Sequence, residues 1–361
     1  MQTKSRSEDF KISVLLATRN HAEFLPQCLE GIVGQTFREV EFLIFNDVST
    51  DQTASILDTF DFRDIPHRVI HSRERRGAPG GMNFLLTQAR GEFVWPIASD
   101  DYCCDPTFLA EGMSMLIRHP VAAGFFGMAK IYNQDLGKTE FAWGVGGLSR
   151  FITPREFAKG FFANRNGPHG AAIVIRREWL TRTRSYDSAL GAHCDYLPNS
   201  AAGLRQGFCY VAKPVVVVRV FGDRRSFSAN QTPEENITQI GLVELRLRQI
   251  LNDSPGFPEK NWTFWRTAKI CSFLNVAHRV RNFKKINSLE VRKLLYNNIE
   301  DCLNLFPDQL YKIPNIIFPR TTDYYVRFPF RNPLKRFISA KLLSIIKRIK
   351  KLFISFKYKS F

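Results

Sequence analysis

Two acidic clusters carry the chemistry this sequence offers most openly. Asn46-Asp47-Val48-Ser49-Thr50-Asp51 follows the apolar run Val40 to Phe45, and Ser99-Asp100-Asp101 follows the run Glu92 to Ala98. Adjacent carboxylates at the end of a strand suit a hard divalent cation, because Mg²⁺ takes one or two carboxylates together with waters and substrate phosphates. Without a cation the same carboxylates would repel a phosphate. Plainer readings stand beside this one: Asp100-Asp101 as a solvated turn ahead of a helix near Pro106, and Asp47 as a loop or capping residue.

The elements that must position these clusters follow from hydrophobic spacing. Through the first hundred residues short apolar runs alternate with helical patterns, the signature of β-α-β units and a parallel sheet. Ile12 to Ala17 reads as a buried strand. Leu25, Cys28, Leu29, Ile32 and Val33 recur at three- and four-residue spacing, which predicts an amphipathic helix. Val40 to Phe45 reads as a second strand, and Ser49 with Gln52 as a capping box opening a helix through Phe60. Arg68 to His71 is a third strand, Asn83 to Ala89 is part of a helix ended by Gly91, and Glu92 to Ala98 is a fourth strand despite Pro96. Later strand candidates are Ala122 to Ala129, Ala171 to Arg176 and Phe208 to Val218. Thr232-Pro233-Glu234-Glu235 predicts a helix start, and helices are expected from there to about Leu305. In an open parallel sheet, ligands bind beyond the carboxyl ends of the strands, which places both acidic clusters on the binding edge.

Composition sets the outer bounds. A chain of 361 residues has a prior of about two domains. With 44% hydrophobic and 24% charged residues, wholly disordered, collagen-like and disulfide-framework proteins are excluded. No stretch reaches the roughly 18 consecutive apolar residues of a membrane-spanning helix. Met1 to Lys11 is polar and carries Glu8 and Asp9, so no secretory signal is expected there. The seven cysteines form no CxxC pair suited to zinc and read as reduced thiols in the cytoplasm. No Walker sequence, nucleophile elbow or zinc-protease pattern is present, and Gly77-Ala78-Pro79-Gly80-Gly81 lacks the dinucleotide spacing. Asn236-Ile237-Thr238 and Asn261-Trp262-Thr263 fit the glycosylation sequon, which matters only in a secreted protein.

Taken together, Ile12-Ser13-Val14-Leu15-Leu16-Ala17-Thr18-Arg19-Asn20, Phe24-Leu25, Cys28-Leu29, Gln35-Thr36-Phe37 and Asn46-Asp47-Val48-Ser49-Thr50-Asp51 resemble the opening of family 2 glycosyltransferases with the GT-A fold. Asn83, Ala89-Arg90-Gly91-Glu92-Phe93 and Ser99-Asp100-Asp101 are similar to the stretch leading into that family's Asp-x-Asp-type motif. The likeness covers roughly residues 10 to 230. It implies a Rossmann-like GT-A core with a mostly parallel central sheet; with the helices read from Thr232 onward, the expected architecture is α/β, that core followed by a helical C-terminal region. The corresponding divisions are a glycosyltransferase domain at 1–230, a helical region at 231–330 and a basic tail at 331–361.

The resemblance implies a nucleotide-sugar donor, most often a uridine diphosphate sugar, and a metal-dependent hexosyltransferase type of activity. Residue by residue, Thr18 and Asp47 would contact the nucleoside, with Asp47 reading the base. Asp100 would lie near the ribose or sugar, and Asp101 would bind Mg²⁺ or Mn²⁺ with the diphosphate. Glycosyl transfer also needs a base for the acceptor hydroxyl. Gly191-Ala192-His193-Cys194-Asp195-Tyr196, followed by Gly203-Leu204-Arg205-Gln206-Gly207, resembles the family segment that supplies it and makes Asp195 the expected base. His193 is the rival base, and Asp195 as a helix N-terminal acid is the plainer reading. Arg219 and the serines of Arg224-Arg225-Ser226-Phe227-Ser228 keep the family's late pattern, with Arg224 and Arg225 as donor-phosphate candidates or part of a solvated loop. Two departures stand out: Phe221 where a histidine is common, and Met82 before Asn83 where many relatives have arginine.

Charge is concentrated at the end of the chain. Of the net +17, nine charges come from residues 333 to 361, which contain no acidic residue. There Ile338, Leu342, Ile345, Ile346, Ile349, Leu352, Phe353 and Phe356 share one helical face and five basic residues take the other. A basic amphipathic helix of this kind can lie on an anionic membrane, each basic residue contributing about 1 kcal/mol. Packing on the domain and a frayed terminus are the competing readings. The expected protein is therefore an inverting glycosyltransferase of the cytoplasm, peripheral on the membrane through residues 335–361 if that helix binds there. It would act on a glycan or lipid-linked acceptor in cell-surface polysaccharide or glycolipid synthesis. The alternatives are a non-catalytic sugar-nucleotide-binding relative, and a nucleic-acid-binding protein suggested by the pI of about 9.7. The concentration of charge in the tail argues against the latter, and no nucleic-acid partner is expected.

Overall fold

The computed structural model describes residues 10–163, 167–221 and 231–251, with isolated positions between 257 and 269. The predicted helices beyond residue 270, Arg224, Arg225 and the basic tail lie outside the described residues. The chain divides into two compact units, Met1–Gly256 and Phe257–Phe361. In the second, Trp262 packs edge-on against Phe257 and Trp265. All candidate site residues belong to the first.

In the first unit the strands are β1 (Ile12–Thr18), β2 (Val40–Asn46), β3 (His67–His71), β4 (Phe93–Pro96), β5 (Tyr102–Cys103), β6 (Gly124–Asn133), β7 (Lys138–Trp143), β8 (Arg150–Ile152), β9 (Ile173–Arg176) and β10 (Phe208–Val220). The helices are α1 (Leu25–Val33), α2 (Thr53–Thr59), α3 (Gly77–Gln88), α4 (Phe108–Arg118), α5 (Pro154–Phe162), α6 (Arg177–Arg182), α7 (Tyr196–Gln206) and α8 (Pro233–Ile250). The strands form one sheet in the order β3-β2-β1-β4-β9-β6-β10-β5, with β7 added on β6 and β8 on β10. Strands β3, β2, β1 and β4 are mutually parallel. β9 runs against both β4 and β6, and β10 is parallel to β6. Six strands along the path therefore point one way, and their carboxyl ends share one edge.

Burial explains why β1 and β2 read as unbroken apolar runs. Helices cover a parallel sheet on both faces, so alternate residues need not be polar. Ile12, Val14, Leu15 and Leu16 are fully buried, as are Phe42 and Ile44. Helix α1 places Leu25, Cys28, Leu29, Ile32 and Val33 in the same core. Each fully buried side chain of this size contributes roughly 1.5–3 kcal/mol of transfer free energy.

Local signals and structure part company at two helices. The predicted Ser49–Gln52 capping box does not form. Ser49 Oγ donates to Asn46 Oδ1 at 2.5 Å and accepts from the Asn20 amide at 3.0 Å. Asp51 takes its place, accepting from the Thr53 amide at 2.9 Å at the start of α2. Helix α3, in turn, begins at Gly77, six residues before the apolar pattern at Asn83 announces it. The Gly-Ala-Pro-Gly-Gly stretch has poor helix propensity, but Pro79 in the first turn removes no needed donor. Gly81 also lets the helix sit close to the sheet: a Cβ there would lie 2.8 Å from the Phe45 ring. At Thr232 and Glu235 the predicted capping box is present, with both reciprocal hydrogen bonds, and opens α8.

Candidate active site

Thr18 ends β1 opposite Asn46, and the Asp47 amide donates to the Thr18 carbonyl at 2.9 Å. The loops leaving β1, β2 and β4 are stitched together at this edge. Asn20 Oδ1 accepts from the Thr50 amide at 2.8 Å, Asp51 Oδ2 from the Ala22 amide at 3.0 Å, and His21 Nδ1 lies 2.6 Å from Ser99 Oγ. Burial would raise the Asp51 carboxyl, but hydrogen bonds from Thr53 and the Ala22 amide outweigh it and hold Asp51 below the ordinary range. Val48, directly after Asp47, has φ +56. A β-branched residue there costs on the order of 1–3 kcal/mol, a strain that clusters at functional loops.

Asp47 is buried, and its carboxylate accepts from the Arg76 and Gly77 amides at 2.8 and 2.9 Å. It thus caps α3 across some thirty residues of chain, which realises the capping reading. An ionised carboxylate has about four lone-pair sites, so two acceptor positions remain for another donor. Asp47→Ala is expected to lower stability by about 1–2 kcal/mol through loss of this cap; an unchanged urea midpoint would contradict that. The Thr18 hydroxyl beside it is buried without a hydrogen-bond partner among the described residues.

Asp100 and Asp101 follow β4 on the same edge. Asp101 is buried and its Oδ1 accepts from the Arg219 amide at 3.0 Å. The Arg219 guanidinium donates to the Asp100 carbonyl at 2.6 Å and to Gln27. It also lies 5.2 Å from the centre of the Phe24 ring and 4.7 Å from that of Tyr102. Burial first, and then the charge of Asp100, push the Asp101 carboxyl well above its usual range, against the pull of the Arg219 amide and guanidinium. Two neighbouring carboxyls, one desolvated, fit a divalent cation, which would relieve both penalties. Among the described residues no group of three or more His, Cys, Asp or Glu side chains forms a metal cage. A cation here would therefore be completed by waters and ligand oxygens. Phe221, where a histidine is common in the resembled pattern, packs on Phe24 with ring centres 5.3 Å apart.

Asp195 reaches the same edge by a different route. Because β9 is antiparallel to β4, its first residues lie beside the carboxyl end of β4, and Trp95 Nε1 donates to the Ala171 carbonyl at 2.9 Å. Gly170, just ahead of β9, faces Asp195: a Cβ built on it would fall 2.0 Å from Asp195 Oδ2. Asp195 is the N-cap residue of α7. Burial pushes its carboxyl up to about 6, against the draw of its own amide and that of Tyr196. His193 Nε2 lies 3.2 Å from Asn236 Oδ1 on α8. The 3-10 turn before Asp195 passes through Gly191 at φ +50, packed beneath Gln231 and Gln239.

A cavity of about 650 Å³ opens between α3 and the segment 184–188, lined by Arg76, Gly77, Pro79, Gly80, Asn83, Arg184, Tyr186, Asp187 and Ser188. Asn83 Nδ2 holds the far wall by donating to the Tyr186 carbonyl at 2.7 Å. Thr18, Asp47, Asp100 and Asp101 thus stand at adjoining strand ends, and Asp195 stands on the same edge beside β9. Gly170, Tyr186 and the α3 N-terminus carried no local sequence signal, because each acts through a partner distant in the chain.

Residues 13–186 match the family model described as "Glycosyl transferase family 2". This segment is a family 2 glycosyltransferase domain. Its sequence is 34% identical over 90 residues to the glycosyltransferase GlyG of Streptococcus pneumoniae, covering 25% of this chain and 30% of that protein. It is 32% identical over 133 residues to the putative glycosyltransferase EpsH of Bacillus subtilis, covering 36% and 38%. The chain thus spans about a third of the length of these curated relatives. Two crystal structures of Staphylococcus aureus TarS 1-349 superimpose on this chain. The complex with UDP has a TM-score of 0.55 at 21% identity, covering 83% of this chain and 82% of that one. The complex with UDP-GlcNAc has a TM-score of 0.57 at 18% identity, covering 85% and 86%. The family 2 domain has the GT-A fold, as the resemblance of its motifs implied. Among the described residues no helix is long and apolar enough to cross a membrane.

Proposed function

We propose that this protein is an inverting glycosyltransferase that moves a sugar from a nucleoside diphosphate donor, uridine diphosphate foremost, to a hydroxyl of a glycan or lipid-linked acceptor in polysaccharide or glycolipid synthesis. The observation that carries the reading is the family 2 domain with Asp47, Asp100, Asp101 and Asp195 on one sheet edge. TarS, of like fold, has been crystallised with UDP-GlcNAc. In the proposed site the unpartnered Thr18 hydroxyl and the spare lone pairs of Asp47 take the nucleoside and Asp100 adjoins the sugar or ribose; Arg224 and Arg225, the donor-phosphate candidates, lie outside the described residues. Asp101 holds Mg²⁺ or Mn²⁺, which when bound offsets the negative charge of the nucleoside diphosphate.

The acceptor hydroxyl gives its proton to Asp195 as its oxygen bonds to the anomeric carbon. The bond from that carbon to the diphosphate oxygen breaks in the same step, and the electron pair leaves with the nucleoside diphosphate. A single displacement inverts the anomeric centre. A carboxyl raised to about 6 is ionised at neutral pH yet basic enough to accept a proton. The test is a panel of nucleotide sugars with Mn²⁺, read by melting temperature and donor hydrolysis. One uridine diphosphate sugar is expected to raise Tm and be hydrolysed. No response to any donor would overturn the proposal, and donor binding without turnover over any acceptor would favour a non-catalytic binding protein.

A further inference from the structure

The three heavy atoms nearest to a Cβ built on Gly170 all belong to Asp195: Oδ2 at 2.0 Å, Cγ at 3.1 Å and its Cβ at 3.7 Å. The carboxylate therefore occupies the space that any other residue at 170 would fill with its own side chain. Gly170 is not among the residues of positive φ, so it is this proximity, and not backbone torsion, that calls for glycine. The wall bearing Gly170 is fixed from several sides. Trp95 Nε1 binds the Ala171 carbonyl at 2.9 Å, the Ala171 amide donates to His169 Nδ1 at 3.3 Å, and Trp143 Nε1 binds the Gly167 carbonyl at 2.9 Å. From these contacts we infer that Gly170 is a positioning residue: its bare backbone sets where the Asp195 carboxylate sits and how far it is withdrawn from water.

The inference rests on Asp195 being the base. The titratable groups around the carboxylate do not supply an alternative control. Burial and then the nearby Cys194 and Asp195 charges keep the Tyr186 phenol protonated, and burial with the Asp195 charge pushes the Cys194 thiol up to about 12. Burial also keeps His169, next to Gly170, neutral, with its imidazole lowered to about 4. Among the described residues no cation acts on the carboxylate; its own amide and that of Tyr196 draw it from the helix side, and the Gly170 backbone abuts it.

Gly170→Ala is expected to lower kcat about 100-fold, since a displacement of about 1 Å can cost that much, while the KM for the donor stays within about twofold. The acid limb of the pH–rate profile is expected to move from about 6 toward the ordinary carboxylate range as Asp195 swings out. Any Tm loss in Gly170→Ala is expected to vanish in the Gly170→Ala, Asp195→Ala double variant, which removes the clashing group; this arm decides even if the single variant folds poorly. An unchanged kcat and limb, or a Tm loss that persists in the double variant, would overturn the inference. Asp195→Asn is assayed in parallel. If it stays active, the assignment of Asp195 as base has failed; if it is inactive while Gly170→Ala behaves as wild type, only the positioning role has.

Discussion

Asp195→Asn is expected to lower kcat about 1,000-fold, leave the donor dissociation constant unchanged, and raise the melting temperature. The first effect is the loss of a general base, which contributes typically about 10²–10⁴-fold. The second follows because the donor contacts assigned to Thr18, Asp47 and Asp100 do not involve it. The third follows from linkage. Burial pushes the folded carboxyl up to about 6, above its ordinary value of 3.8. Its neutral form is therefore favoured on folding, a contribution that is complete below about pH 4 and lost as pH rises through about 6. At pH 7.5 the ionised carboxylate costs on the order of 2 kcal/mol after allowance for partial exposure, and asparagine removes that cost. The Tm gain should accordingly shrink as pH falls from 7.5 to 4. A variant that is inactive but no more stable at pH 7.5 would contradict the burial argument, and an active one the chemistry.

The second large effect concerns Asp101. Asp101→Asn keeps an acceptor for the Arg219 amide while removing the charge that would hold a cation. Nucleotide binding that is strengthened by Mn²⁺ in the wild type is expected to lose that dependence, with turnover lowered about 1,000-fold, equivalent to about 4 kcal/mol of charge stabilisation. Without Mn²⁺ the variant should be the more stable protein at neutral pH. Burial and Asp100 raise the Asp101 carboxyl, so its ionised form is disfavoured on folding. Titration of nucleotide with and without Mn²⁺ checks the first outcome. An undiminished Mn²⁺ effect in Asp101→Asn would remove Asp101 from the cation site.

Local sequence carried the parallel half of the fold well, because each of its elements buries a face that spacing alone reveals. The continuous run in β1 and the three- and four-residue rhythm of α1 needed no knowledge of their neighbours. What local sequence could not carry were features set by partners far along the chain. Helix α3 starts in a glycine- and proline-rich stretch because the Asp47 carboxylate, at the end of β2, accepts from the Arg76 and Gly77 amides. Ser49 fails to cap α2 because Asn46 and Asn20 claim its hydroxyl. Gly91, read as the end of a helix, lies where a Cβ would come within 2.6 Å of the Ser13 amide nitrogen, so its glycine serves the β1–β4 approach.

The site divides in the same way. Asp47, Asp100 and Asp101 were marked by their place after apolar runs, and Asp195 by its resemblance to a family segment. The Arg219 amide that binds Asp101, 118 residues away, and the Gly170 backbone beneath Asp195 left no trace in spacing or composition. Their contribution is geometric and arises only once β10 and β9 take their places in the sheet.

The most direct test of the proposed catalytic edge is a crystal structure of the protein with uridine diphosphate and Mn²⁺. The nucleoside is expected against Thr18 and Asp47, the ion on Asp101 with diphosphate oxygens completing its shell, and the Asp195 carboxylate facing the same cleft. Nucleotide bound away from this edge, or an ion that avoids Asp101, would contradict the account.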